Sequence, residues 1–377
     1  MLSQSQLRHF SGACDTGQVS SSTPPLRIGT RASDLALTQT RTVAAALGAA
    51  SGREVELVRI RTEGDRSTAS LSTLGGTGVF AAALREALLA GECDVAVHSL
   101  KDLPTAPVAG LSIGAFPSRE DHRDVLCARE GWTLATLPAG AKVGTGSPRR
   151  AAQLRLARPD IEVVDIRGNV GTRLGRVGAD LDAVVLAAAG LTRLGLLEHV
   201  TDTLDVDVMI PAPGQGALAV ECRTDDLHGG ELGEWMRRID DVPTRLTVLA
   251  ERAVLRTLEA GCTAPVAAHA ELVPGDGSTP TRLELNAGVF DPAGTRSVVG
   301  TAVEEMDGLP DVMEARGVAI QQDVFFSLAV ELGVSAAEQL LDDGAAEVAG
   351  LRPRGPALDA EEPDDAGRRA GPGGPVA

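Results

Sequence analysis

Three times in this chain a short apolar run ends in a glycine-containing turn, passes a side chain able to cap a helix, and enters a helical pattern beside arginine. The segments are Ile28-Gly29-Thr30-Arg31-Ala32-Ser33, Gly144-Thr145-Gly146-Ser147-Pro148-Arg149-Arg150 and Arg167-Gly168-Asn169-Val170-Gly171-Thr172-Arg173. Ser33, Ser147 and Asn169 suit the N-cap, where a side-chain oxygen satisfies an otherwise free backbone N–H, and Pro148 suits the first helical position. Repeated strand-to-helix alternation predicts an α/β fold with mostly parallel sheets.

The pattern predicts strands at 26–29, 55–61, 94–100, 141–144, 161–166 and 183–186, with helices at 34–47, 78–89, 148–156 and 170–177. Turn-rich stretches at 117–124 and 211–216 predict two crossings of a hinge between two α/β domains. A helix at 244–258, strands at 282–289 and 296–303, and a helix at 311–332 predict a third, smaller α+β domain. The expected boundaries are 25–118 with 214–238, then 119–213, then 239–350. Residues 1–24 lack apolar periodicity, and 351–377 are rich in Pro, Gly and acid, so both are expected to be disordered.

The arginines at these turns are badly placed for stability alone. A helix start carries roughly half a positive charge, so a cation in the first turn is unfavourable unless an anion sits nearby. Free N–H groups and guanidinium forks together suit a carboxylate or phosphate. The bland alternative is pairing with Asp or Glu across a domain interface. If Arg31, Arg149, Arg150, Arg167, Arg173 and Arg193 converge, they offer more charge than one phosphate needs, so the expected ligand is a small polyanion. With a net charge of −17 and only 2% aromatic residues, neither nucleic acid nor an anionic membrane suits the chain.

The run 94–100 ends in His98-Ser99-Leu100-Lys101-Asp102-Leu103-Pro104. Ligands of open α/β sheets sit beyond the carboxyl ends of strands. Asp102 falls there and could act as an acid or base, or hold a developing cation; an ordinary salt bridge is the alternative. His98 reads as a hydrogen-bonded core residue. Lys101 and Lys142 are the only lysines in an arginine-rich chain. Gln215, in Pro211-Ala212-Pro213-Gly214-Gln215-Gly216-Ala217, could bond substrate or brace the backbone. The glycine-rich 74–80 lacks the lysine and hydroxyl of a nucleotide-binding loop and reads as a flap. Cys262 follows a helix-ending glycine; core filling is the ordinary reading of a cysteine, and this loop position lends weight to attachment or nucleophilic chemistry. The five cysteines show no disulfide or zinc spacing, so no metal is expected. No signal-peptide pattern or span-length apolar run stands out, the longest being near 183–191; the expected compartment is the cytoplasm.

Taken in order, GTRASDLAL, GGTGVF, VAVHSLKDLP, GTGSPRR, RGNVGTRL, AAAGLTRLG, PAPGQGA and LEAGCTAP resemble the porphobilinogen deaminases, or hydroxymethylbilane synthases. The resemblance runs from Arg27 to about Leu332. It implies two periplasmic-binding-protein-like α/β domains, with the third domain carrying a dipyrromethane cofactor joined by a thioether to Cys262. The implied enzyme is a monomeric transferase of porphyrin and heme biosynthesis. It condenses four porphobilinogen molecules, releasing ammonia at each step, into a linear tetrapyrrole. Matching positions make Asp102 and Lys101 catalytic. They make Arg31, Ser33, Lys101, Ser147, Arg149, Arg150 and Arg252 cofactor contacts, and Arg31, Arg149, Arg150, Arg167, Arg173, Arg193 and Gln215 substrate contacts. Thr73 and Thr77 stand where relatives often carry flap lysines. Two rivals are a non-catalytic dicarboxylate-binding protein, which leaves Asp102 and Cys262 without a purpose, and a nucleotide-dependent enzyme, which lacks its fingerprints.

Overall fold

The computed structural model describes residues 24–60, 78–260, 264–275, 279–310 and 319–350. The expectations for 1–23, 351–377, Thr73, Thr77, Cys262 and the helix start at 311 lie outside the described residues.

In the first domain β1 (Leu26–Thr30) leads to α1 (Asp34–Ser51), then β2 (Val55–Arg59), α2 (Gly78–Leu89), β3 (Val95–Ser99) and β4 (Leu111–Ala115). The start of α1 is capped by Ser33, which accepts from Ala36 N, and it ends at Gly52 in the left-handed region (φ 68°). Leu37, Val43 and Leu47 face inward along it at helical spacing. The chain then crosses over, and β5 (Asp124–Ala128) enters the second sheet. There follow β6 (Lys142–Thr145), α3 (Pro148–Ala157), β7 (Glu162–Asp165), α4 (Val170–Leu174), β8 (Ala183–Ala187), α5 (Ala188–Leu194) and β9 (Asp202–Leu204). A second crossing returns the chain as β10 (Leu218–Arg223), followed by α6 (Thr224–Gly229) and α7 (Glu231–Ile239).

The strand orders are β2-β1-β3-β10-β4 and β7-β6-β8-β5-β9. The sheets are mixed, which corrects the expectation of mostly parallel pairing. β10 is antiparallel to β3 and β4, and β5 is antiparallel to β8 and β9. The cause is the double crossing: each hinge strand enters its sheet from the cleft end, where its neighbours finish. The core of the first sheet holds Ile28, Leu47, Val95, Val220 and Met236, and that of the second Leu126, Val143, Leu154, Val185 and Met209. These are largely aliphatic, as the shortage of aromatics requires, and each fully buried large side chain contributes roughly 1.5–3 kcal/mol.

The smaller third region contains α8 (Val242–Thr257), the antiparallel meander β11 (Val266–Val273), β12 (Arg282–Phe290) and β13 (Ser297–Glu305), and helices α9 (Ala319–Asp342) and α10 (Ala345–Ala349). The stretch Asp323–Asp342 is long and apolar enough to span a bilayer by length and composition alone, which corrects the reading that none approached this length. In the fold its Phe325, Ala329, Leu332 and Leu340 are buried in one core with Leu246, Val254 and Leu285.

Candidate active site

The chemistry-bearing turns follow β1, β3, β6 and β7, and Arg193 lies on α5 after β8. Arg31 and Asp102 line one pocket with Gln39, His98 and Ser99. Gln39 reaches Ser99 Oγ at 2.9 Å, bracing the wall between α1 and β3. Asp102 closes a 3-10 turn, Leu100–Asp102, whose Leu100 N–H donates to Ala217 O at the second hinge crossing. His98 is buried with Nε2 3.0 Å from Glu221 Oε2 on β10, matching its reading as a core residue.

At the second turn Ser147 caps α3 by accepting from Arg150 N, and Pro148 occupies the first turn. The two arginines that follow do have an anion, and it is the protein's own. Arg149 Nη2 lies 2.7 Å from Asp124 Oδ2, and Arg150 approaches Asp124 Oδ1 through Nε at 2.9 Å and Nη2 at 2.6 Å. Asp124 is 0% exposed at the start of β5. Burial would raise its carboxyl, but Arg149 and Arg150 outweigh that and hold it down to about 2. The pairing anticipated across a domain interface occurs inside the second domain instead.

Gln215 joins this group. Its Nε2 donates to Asp124 Oδ1 and His122 O, both at 2.8 Å, while Oε1 accepts from Lys101 Nζ at 3.2 Å and Arg150 Nη2 at 3.3 Å. Lys101 keeps some accessible surface, yet it sits deep in the cleft. Burial, helped by Arg150, lowers its ammonium to about 8 against the opposing pull of Asp102 and Asp124.

At the third turn Asn169 Oδ1 accepts from Thr172 N at 2.8 Å, capping α4, and Arg173 Nε donates to Gly168 O at 2.9 Å. Burial and then the charges of Arg150 and Arg167 push the Arg173 guanidinium down, while Asp165 and Asp102 push it up, so Arg173 lies within electrostatic reach of Asp102. Arg167 is 3.7 Å from Asp165. Arg193, on α5, donates to Gly216 O at 2.6 Å and so grips the hinge. Arg252, on α8, donates to Leu103 O at 2.8 Å and Pro104 O at 3.0 Å, clasping the turn that carries Asp102. Thus Lys101, Arg149, Arg150 and Gln215 share one network, Arg31 and Asp102 share one pocket, and Arg193 and Arg252 are engaged with backbone carbonyls.

Sequence reasoning missed Asp124, Glu251, Arg119 and His122. Glu251, 0% exposed on α8, accepts from Arg119 Nη1 at 2.7 Å and Nη2 at 3.0 Å, from Gly214 N at 2.6 Å and from Ala270 N at 2.9 Å. It therefore ties both hinge crossings to the third region. His122 stacks on His269 of β11, with ring centroids 3.8 Å apart. The dense alternation of charge in Arg119-Glu120-Asp121-His122-Arg123-Asp124 was the available signal, since a solvent loop needs no such pairing. Gly214 and Gly216 adopt φ of 75° and 88°, and a side chain on Gly214 would meet Leu100 Cγ at 2.8 Å.

The family model described as "Porphobilinogen deaminase, dipyromethane cofactor binding domain" matches residues 26–229, and that for the porphobilinogen deaminase C-terminal domain matches 245–342. The chain belongs to the porphobilinogen deaminase family. The porphobilinogen deaminase of Cutibacterium acnes is 53% identical over 88% of this chain and 98% of its own length, and that of Thermobifida fusca is 52% identical over 86% and 98%. Among solved structures, the methionine-binding protein MetQ aligns with a TM-score of 0.38 at 11% identity, covering 57% of this chain and 89% of that one. The first of the two family models is described as a domain that binds a dipyrromethane cofactor. The cleft fits such a group: Arg149 Nε and Arg167 Nε are buried without a hydrogen-bond partner among the described residues, and the neighbouring donors are cationic.

Proposed function

We propose that this cleft performs hydroxymethylbilane synthesis, with Asp102 as the catalytic carboxylate and the arginine turns as the grip on a polycarboxylate. The observation that carries the assignment is Asp102 on the wall of the Arg31 pocket, with Lys101 beside it and Arg173 within electrostatic reach. Arg31, Lys101, Arg149, Arg150 and Arg252, with the helix starts at Ser33 and Ser147, would hold the dipyrromethane, and the Cys262 thiol would anchor it by a thioether. Bound, that group supplies a nucleophilic pyrrole carbon at its free end.

Arg31, Arg149, Arg150, Arg167, Arg173 and Arg193 pair with the acetates and propionates of porphobilinogen as their charge accumulates. Loss of ammonia breaks the substrate's C–N bond and leaves a cation on its pyrrole. The Asp102 carboxylate stabilises that positive charge as it develops and can accept a proton when the new C–C bond restores aromaticity. Lys101 stays protonated up to its lowered pKa of about 8 and adds a cation close to the reacting carboxylate. Four condensations followed by attack of water give the linear tetrapyrrole.

We further propose the domain boundaries 25–118 with 214–238, 119–213 and 239–350, and a monomer acting in the cytoplasm. The buried free thiols of Cys93, Cys127 and Cys222 suit a reducing compartment. The intact mass of protein made in cells that synthesise porphobilinogen tests the assignment. The expected result is a dipyrrole adduct that is absent from Cys262→Ser; an unmodified wild-type mass would overturn it.

A further inference from the structure

We infer that Gln215 is a positioning residue that acts through Lys101 and does not touch substrate. A primary amide offers two acceptor sites and two N–H donors. In Gln215 all four are engaged by the protein: Oε1 by Lys101 and Arg150, Nε2 by Asp124 and the His122 carbonyl. The side chain is 1% exposed, so nothing is left to meet a ligand. The orientation of the amide follows from its neighbours, because reversing it would aim N–H groups at two cations and an oxygen at a carboxylate.

The position makes this arrangement more than a brace. Lys101 belongs to the turn after β3 in the first domain, whereas Asp124 and Arg150 belong to the second, and Gln215 stands on the crossing between them. Its amide is the hydrogen-bonded link from Asp124 to the ammonium beside Asp102. The charged groups facing Lys101 are Asp102 on its own turn, Asp124 on β5, and Arg149 and Arg150 on α3. The two arginines disfavour the ammonium and the two carboxylates favour it. Gln215 adds a neutral acceptor to the second group, an oxygen shared between Lys101 Nζ and Arg150 Nη2. Without it the proton on Lys101 should be lost at lower pH, and the protonated state of the cleft should become sensitive to small shifts between the domains.

Because the chain has only Lys101 and Lys142, holoenzyme carrying 13C-lysine gives two Cε signals, assigned by Lys142→Arg. Removing the acceptor in Gln215→Met should move the Lys101 midpoint acid-ward by about one pH unit. Gln215→Glu, which puts a carboxylate beside the ammonium, should move it the other way. The alkaline limb of kcat should follow each shift, with KM for porphobilinogen changing far less than kcat. If the Lys101 midpoint stays in place in both variants while KM rises, Gln215 is a substrate contact and the inference fails. If activity falls evenly at every pH with the midpoint unmoved, its role is purely structural and the inference fails as well. Should the Gln215→Glu protein not fold beside Asp124, Gln215→Met and wild type still decide the matter. The inference rests on the cleft being the deaminase site, but the Lys101 titration is read without turnover, so its failure is distinct from absence of the adduct.

Discussion

Arg150 grips one oxygen of Asp124 through both Nε and Nη2, at 2.9 and 2.6 Å, while Arg149 takes the other oxygen at 2.7 Å. One buried carboxylate thereby holds two guanidiniums at the first turn of a helix, where neither would be favourable alone. The pair of arginines keeps a surplus of about one charge, carried on N–H groups whose direction is set before any ligand arrives.

Asp124→Asn should therefore destabilise the protein sharply. The variant keeps the shape but leaves two buried cations without a counter-charge, and breaking a buried ion pair costs about 3–5 kcal/mol. Chemical denaturation of the two proteins checks the value; a change below about 0.5 kcal/mol, the range of ordinary surface substitutions, would contradict the pairing.

Asp102→Ala should behave in the opposite way. Asp102 stands on a pocket wall with partial exposure, so the unfolding midpoint should stay near that of wild type. Its removal should lower kcat by about 10²–10⁴, the usual contribution of a positioned acid or base. Steady-state kinetics beside a thermal melt separates the two effects, and near-normal turnover would remove Asp102 from the mechanism.

Acid should unfold the protein in two stages. The His122 imidazole is pushed from its ordinary 6.5 to about 4 by burial, then by His269 and Arg119. A base depressed by folding contributes stability above its unfolded value and loses it as pH falls toward the folded one, here from 6.5 to about 4. Burial would raise Glu251, but Arg119 and His269 hold it down to about 2, and Asp124 is held down to about 2 as well. Their contribution is complete above about 4.5 and is lost as pH drops through 2. Melting temperature against pH should show both windows, and His122→Gln should flatten the upper one alone.

Glu251→Gln should loosen both hinge crossings together. Gln can still accept from Gly214 N, but the Arg119 charge is stranded, at a cost of about 3–5 kcal/mol. Limited proteolysis followed by mass spectrometry should reveal new cleavage at both 116–123 and 211–217. Cleavage at one crossing only would show that the other is anchored elsewhere.

The parts of the fold that could be read in advance are those governed by local rules. The caps at Ser33, Ser147 and Asn169, the helix at α2 and the strands that precede the caps depend on neighbours a few residues away. What escaped depends on distance in sequence. β5 and β10 run antiparallel because the chain changes domain twice, a fact of topology that no local pattern carries. Asp124 lies 25 residues from Arg149 and Gln215 lies 91 from Asp124, so neither partnership could be found by spacing. For Arg149 and Arg150 the first anion met is internal, the Asp124 carboxylate. The long helix α9 shows a related limit, since hydropathy alone does not reveal which of its faces is covered.

Both passages through the hinge end on one carboxylate of α8, the helix that runs on toward the segment bearing Cys262. The third region is thus geared to the cleft rather than hung beside it. Arg119 and Gly214, one on each crossing, both bond Glu251 six residues before α8 ends at Thr257. Bending at either crossing therefore bears on the end of α8 as well.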